Sequence, residues 1–266
     1  MIQPTPTALA AFGRLAIAVA MLAGIVGGVG LINLFGRPPS APVAGPPPEE
    51  VLQPAPVSPG SIAPPVEEPL PQPSPGADPV RQWADQVSAV VDIPARAIVS
   101  YVNADLAMRE HQPGCRISWA TLAAIGRIES DHGRYGRRLL REDARPSSPI
   151  VGVPLDGSEG IRLIPDTDGG ALDGDTAHDR AVGPMQFIPS TWRRWATDGD
   201  GDGLGDPQNL DDASMAAARY LCAGGRDMTT GAGWWSGVMS YNNSVEYGQK
   251  VFGLAESYAE AGNRRR

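Results

Sequence analysis

The hydrophobic pattern changes in stages along the chain. From Leu15 to Phe35 apolar and small residues run on without a charge, about 21 residues, the length that crosses a bilayer core. From Pro38 to Pro79 the apolar positions lose any period and proline dominates. From Val80 onward apolar residues recur at three- and four-residue spacing, the period of a helix face. That period predicts an amphipathic region from residue 80 with a break at Pro94, then helices over 118–131, 189–196, 211–222, 232–241 and 246–261. Only "PIVGVPLDGSEGIRLIP", residues 149–165, alternates apolar and polar positions, and its Asp-Gly-Ser turn predicts a β-hairpin. The expected fold is mainly α, a single two-lobed domain over 80–266 with one short hairpin.

Composition sharpens the N-terminal third. The 27 prolines and 32 glycines are unevenly spread, and a Pro-rich stretch favours extended polyproline II and cannot bury a core of its own. Residues 38–79 are therefore expected to be a linker, which at about 3.1 Å per residue could hold a domain about 100 Å from a membrane. Residues 1–37 are expected to be a membrane anchor or an uncleaved signal. Arg14 and Arg37 flank the apolar run evenly, while the free amino terminus with Glu49 and Glu50 favours the N-terminus inside. The resulting expectation is a single-pass protein of the cytoplasmic membrane with its folded domain outside. Cleavage near "APVAG" would release it instead.

A net charge of −8 argues against nucleic acid as a partner. Three histidines are too few and too scattered for a zinc enzyme, and neither a Gly-rich phosphate loop nor a G-x-S-x-G elbow occurs. Cys115 and Cys222 lie before one predicted helix and at the end of another. An exported domain is free to join them, which the loop-closure model credits with about 4–5 kcal/mol; buried thiols are the alternative.

Candidate chemistry begins in "AAIGRIESDHGRYG", residues 123–136. Glu129 shares a helix face with Leu122 and Ile125, where another aliphatic residue would be expected. Burial and the negative end of a helix terminating near Gly133 both raise a carboxyl pKa. Glu129 either escapes to the surface and pairs with Arg127 or His132, or stays protonated near neutral pH as a general acid must. A second candidate is "ATDGDGDGLGDPQNLDDAS", where alternating Asp198, Asp200 and Asp202 precede a turn at Gly203. Oxygen ligands at the first, third and fifth positions and a carbonyl at the seventh match a calcium loop, although Asn209 replaces the usual closing glutamate. A metal-free acidic turn is the alternative.

The ordered set "IESDHGRYG", "GPMQFIPSTW", "DGDGDG" and "SYNNS" resembles the lytic murein transglycosylases, specifically the B-type branch with an EF-hand-like calcium loop in a lysozyme-like α+β domain. The resemblance covers most of 115–255. It implies cleavage of the β-1,4 bond between N-acetylmuramic acid and N-acetylglucosamine, with 1,6-anhydromuramic acid ends and Glu129 as acid and then base. It places Tyr241 as the residue orienting Glu129, and Met185, Gln186, Phe187 and Asn242 along the glycan. It implies structural Ca2+ on Asp198, Asp200, Asp202, the Leu204 carbonyl and Asp212, and no catalytic cofactor. The implied partner is peptidoglycan, met by a monomer. The branch's helical insertion after the glutamate is replaced here by the short hairpin region, and no serine can be placed at its substrate-contacting position near Thr176–His178. A hydrolytic muramidase of the same fold and a non-catalytic wall-binding scaffold are the rival readings; Asp131, Asp175 and Asp179 are the carboxylates a hydrolytic route would recruit.

Overall fold

Helices are the main regular structure in a computed structural model that describes residues 52–66, 78–158 and 160–264. The expected membrane segment lies outside the described residues, among which no helix is long and apolar enough to cross a membrane. In chain order the elements are α1 (Pro79–Ser88), α2 (Ala95–His111), α3 (Trp119–Ser130), β1 (Val151–Pro154), β2 (Arg180–Val182), α4 (Pro189–Trp195), α5 (Leu210–Leu221), α6 (Gly231–Tyr241) and α7 (Val245–Asn263).

Each start has a local cause. The Asp78 side chain accepts from the Arg81 N–H with Pro79 in the first turn, and α2 begins directly after Pro94. Ser118, Asn209, Thr230 and Ser244 each accept a backbone N–H from the first turn of α3, α5, α6 and α7. Asn209, which stands where a calcium loop would close, is thus a helix cap.

α3 is the central element. Trp119 through Gly126 are buried around the whole circumference rather than on one face, because its small residues let α2, α5 and α7 approach. Trp83 meets Trp119 edge to face at 5.3 Å, and the buried Asp105 carboxylate receives the Trp119 N–H at 2.8 Å. Cys115 and Cys222 form a disulfide with 5.5 Å between their Cα atoms, joining the approach to α3 to the end of α5.

The β structure differs from the expected hairpin. The chain does reverse within 149–165, with an Asp156–Leu163 bridge and the Ile164 N–H on the Leu155 carbonyl at 2.8 Å. β1, however, pairs antiparallel with β2, Val151 opposite Val182 and Pro154 opposite Arg180. Alternation marks residues as strand but cannot name the partner strand.

The proline-rich stretch also departs from expectation. Residues 52–66 fall inside the span read as a spacer, yet Ala55, Val57 and Ala63 pack against the core and Pro64 is buried. Proline-rich chain cannot build a core, but it can cover one.

Candidate functional site

Glu129 occupies the penultimate position of α3. The helix stops there because Asp131, His132 and Gly133 all take positive φ, 52°, 57° and 84°, a run that costs roughly 1–2 kcal/mol for each non-glycine. Tertiary contacts offset that cost. The fully buried His132 ring shares a hydrogen bond with the Tyr101 hydroxyl at 3.1 Å through Nδ1. Tyr101 reaches it only over Gly126, where a Cβ would stand 2.1 Å from the hydroxyl. Asp131 pairs with Arg127 and with Arg134 at 2.8 Å, and Arg134 also holds Asp92 at 2.9 Å.

These commitments decide the state of Glu129. Arg127 is engaged with Asp92 and Asp131, and His132 is turned into the core with burial keeping it neutral. Among the described residues no ion pair reaches Glu129. Its partner is the Tyr247 hydroxyl, which donates to Oε1 at 2.6 Å. Burial pushes the Glu129 carboxyl up from 4.5 to about 7, while the Tyr247 bond pulls it down. The residue is partly covered at its surface, so it is a desolvated carboxyl with an open side.

The hydroxyl bonded to Glu129 is therefore that of Tyr247, while Tyr241, expected to orient the glutamate, lies near enough for burial and the Glu129 charge to raise its pKa but spends its hydroxyl elsewhere. The Tyr241 hydroxyl donates to the Met185 carbonyl at 2.6 Å. Met185 lies in a tight turn, Gly183–Gln186, closed by the Gln186 N–H on the Gly183 carbonyl at 3.1 Å and by the Val182–Phe187 bridge. From the opposite side the Ser130 hydroxyl, next to Glu129, donates to the Pro184 carbonyl at 2.6 Å. The turn is clamped between the end of α3 and the end of α6. Sequence reasoning missed Tyr247, although its place in the first turn of a helix directly after "SYNNS" was visible.

The side chains of Met185 and Phe187 are core groups, 0% and 2% exposed, and present no surface to a ligand. Phe187 packs on Trp192 at 5.5 Å and on Tyr241 at 5.8 Å. Gln186 is partly buried with its amide on the Gly183 carbonyl at 2.9 Å, and Asn242 is exposed just past α6. None of the carboxylates considered for a hydrolytic route is uncommitted. Asp131 is ion-paired, Asp179 is fully buried and receives the Thr167 N–H and hydroxyl, and Asp175 is held at about 2 by the Ala177 and His178 N–H groups and Arg180.

The acidic loop gathers only part of the expected ligand set. Carboxylate oxygens of Asp198, Asp200 and Asp212 lie within 4.8 Å of one another, without Asp202, whose carboxylate takes the Leu204 N–H at 2.8 Å. Asp212 is fully buried and accepts from Gly199 at 2.7 Å and Asp206 at 2.9 Å, tying the two ends of the loop together. Burial, aided by the charge of Asp200, raises its pKa, and a bound cation would reverse that. Such an all-oxygen set suits a hard cation. Asp166, Asp168 and Asp179 form a similar cluster that the sequence reading did not single out. A cavity of about 460 Å³ lies between α2, α5 and Thr197–Gly199; of the candidate residues only Asp198 lines it.

Comparison with known proteins adds a partial family match. Residues 170–238 match the family described as Transglycosylase SLT domain, a span holding the 183–187 turn and the acidic loop but neither Glu129 nor Tyr247. That match, over about a quarter of the chain, supports an enzyme that acts on murein. No curated protein matches the chain. Among solved structures, the Escherichia coli lytic transglycosylase Slt35 in complex with bulgecin A is 14% identical, over 68% of this chain and 79% of that one, with a TM-score of 0.36. The same enzyme in complex with calcium is 14% identical over 68% and 80%, with a TM-score of 0.35. SltB3 from Pseudomonas aeruginosa in complex with NAG-anhNAM-pentapeptide is 16% identical over 72% of each chain, with a TM-score of 0.37.

Proposed function

We propose that the chain is a peptidoglycan lytic transglycosylase with Glu129 as its single acid–base group. The observation that carries this reading is a carboxyl raised to about 7, bonded to the Tyr247 hydroxyl and free of any cation among the described residues. Glu129 gives its proton to the oxygen leaving C1 of N-acetylmuramic acid. The substrate's N-acetyl oxygen then stabilises C1, since Asp131, Asp175 and Asp179 are all committed elsewhere. The Glu129 carboxylate takes the proton of the C6 hydroxyl as that oxygen bonds to C1, so the acid is restored and no water is consumed. Asn242 is exposed at the end of α6 and is assigned to the glycan.

Product mass separates this from a hydrolytic muramidase. Muropeptides released from sacculi are expected to end in 1,6-anhydro-N-acetylmuramic acid, lighter by one water, about 18 Da, than hydrolytic products. Borohydride-reducible muramic acid ends carrying labelled solvent oxygen would instead make the enzyme a muramidase, and no cleavage at all would leave the scaffold reading.

We assign structural Ca2+ to Asp198, Asp200 and Asp212, with Asp202 and the Leu204 carbonyl as further ligands after a local turn of the loop. A cation bound only by the folded chain raises the melting temperature by mass action, by about 2.7 kcal/mol of stability at a hundredfold excess over Kd. The expected result is a higher Tm in calcium than in chelator; equal midpoints mean an acidic turn without metal. Residues 1–37 are assigned as the membrane anchor that keeps the domain, a monomer, facing the wall.

A further inference from the structure

Residues 52–66 are bound to the outer side of the α6–α7 pair by specific contacts. The Ala55 N–H donates to the Gln249 carbonyl at 3.1 Å, and the Gln249 side chain returns a bond to the Val57 carbonyl at 3.0 Å. Ser58–Ser61 then form a turn, with Pro59 second and Gly60 third at φ 78°, closed by the Ser61 N–H on the Ser58 carbonyl at 3.2 Å. Beyond it the Ile62 carbonyl receives the indole N–H of Trp235 at 3.2 Å. Trp235 is 3% exposed with the strand in place, so the Ile62 carbonyl satisfies a donor that the strand itself covers. Gly231 completes the fit: a Cβ there would stand 2.5 Å from the Gly60 carbonyl oxygen and 2.8 Å from the Ile62 nitrogen.

We propose that this face of α6–α7 is a receptor for a proline-rich strand of the same chain, and that the docked strand positions Tyr247 on Glu129. The path is contiguous. Ile62 fixes the Trp235 indole, and the indole packs on Gly248, where a Cβ would come within 2.6 Å of the ring. Gly248 adjoins Tyr247, and Gln249, the other anchor, is the next residue along α7. A proline-rich segment suits the task because its five prolines already fix φ, so little conformational freedom is lost when it docks. The strand is therefore part of the catalytic unit, although the spacer continues on either side of it in sequence.

The proposal rests on Glu129 being the acid, and its test does not need turnover. In the full-length chain, Gly231→Ala is expected to displace the strand, seen as faster hydrogen exchange at Ala55 and at the Trp235 indole. A second variant replaces 52–66 by a Gly/Ser stretch of equal length, which removes the strand's contacts outright. The Glu129 carboxyl is then titrated by carbon-13 NMR. Because the Tyr247 bond lowers the Glu129 pKa, both variants are expected to titrate above the wild-type value, with kcat down by about tenfold and KM little changed. In the Gly/Ser chain Gly231→Ala is expected to have no further effect. An unchanged Glu129 titration in the Gly/Ser chain would overturn the proposal. A shifted titration in a chain whose wild type cleaves nothing would uphold it and count against the transglycosylase reading instead.

Discussion

In a Glu129→Gln variant, glycan cleavage by the full-length chain falls by about 10³-fold or more, since the amide keeps the shape and the Tyr247 bond but cannot donate and recover a proton. The same substitution is expected to stabilise the fold above neutral pH. Glu129 rises from 4.5 to about 7 on folding, so between those values the native state binds the proton that the unfolded state has released. Stability from this group is therefore complete below pH 4.5 and is lost as pH climbs through 7, by about 3 kcal/mol at roughly 1.4 kcal/mol per pH unit. Glutamine carries no such penalty. Urea unfolding of both proteins at pH 4 and pH 8 checks this: the variant is expected to gain on the wild type as pH rises. A stability gap that ignores pH would remove the raised carboxyl, and near wild-type clearance of sacculi would remove Glu129 as the acid.

Such a trade of stability for a poised acid explains why the end of α3 is so heavily braced. Successive left-handed residues after a helix would fray in isolation. Here the Tyr101–His132 bond, the Arg127–Asp131–Arg134 cluster and the Ser130 hydroxyl fix them. The cations that could neutralise Glu129 are the ones used as braces, so the same contacts that hold the carboxyl in place leave it unpaired.

The helices and the desolvated glutamate were legible in sequence for related reasons. Helix period is a local signal, and the starts expected at 118, 211, 232 and 246 fall within one residue of those at Trp119, Leu210, Gly231 and Val245. Glu129 was legible as an ionisable group on an apolar face. What was not legible depends on contacts between distant segments. β2 returns to β1 after a loop whose aspartates, 166–175, hold the intervening chain through its own N–H groups. Tyr247 reaches Glu129 because α7 packs along α3, a packing choice no local pattern encodes. The docked strand was hidden by composition, which reports whether a segment can fold alone and not whether it can cover a neighbour.

The largest expected effect on folding is at Gly183→Ala. Its φ is 76°, and a Cβ there would lie 1.7 Å from the Pro207 carbonyl oxygen and 2.6 Å from its carbon. Both neighbours are backbone, so no side chain can swing aside. Pro207 itself cannot retreat, because adjacent Gln208 grips the Ile150 N–H at 2.9 Å and its carbonyl at 2.8 Å through the side-chain amide. The turn that carries the Met185 carbonyl to Tyr241 and the Pro184 carbonyl to Ser130 must then move, and the clamp beside Glu129 opens with it. A loss of more than about 4 kcal/mol is expected, the range reached when a tight backbone contact is broken. Gly225→Ala is the control: its φ is 75° but nothing lies within 4 Å of the added methyl, so only the left-handed backbone cost of about 1–2 kcal/mol applies. Denaturant unfolding of the two variants measures the difference. Equal losses would mean that the Gly183–Pro207 contact is looser than its geometry implies, and that the turn beside Glu129 is held by Tyr241 and Ser130 alone.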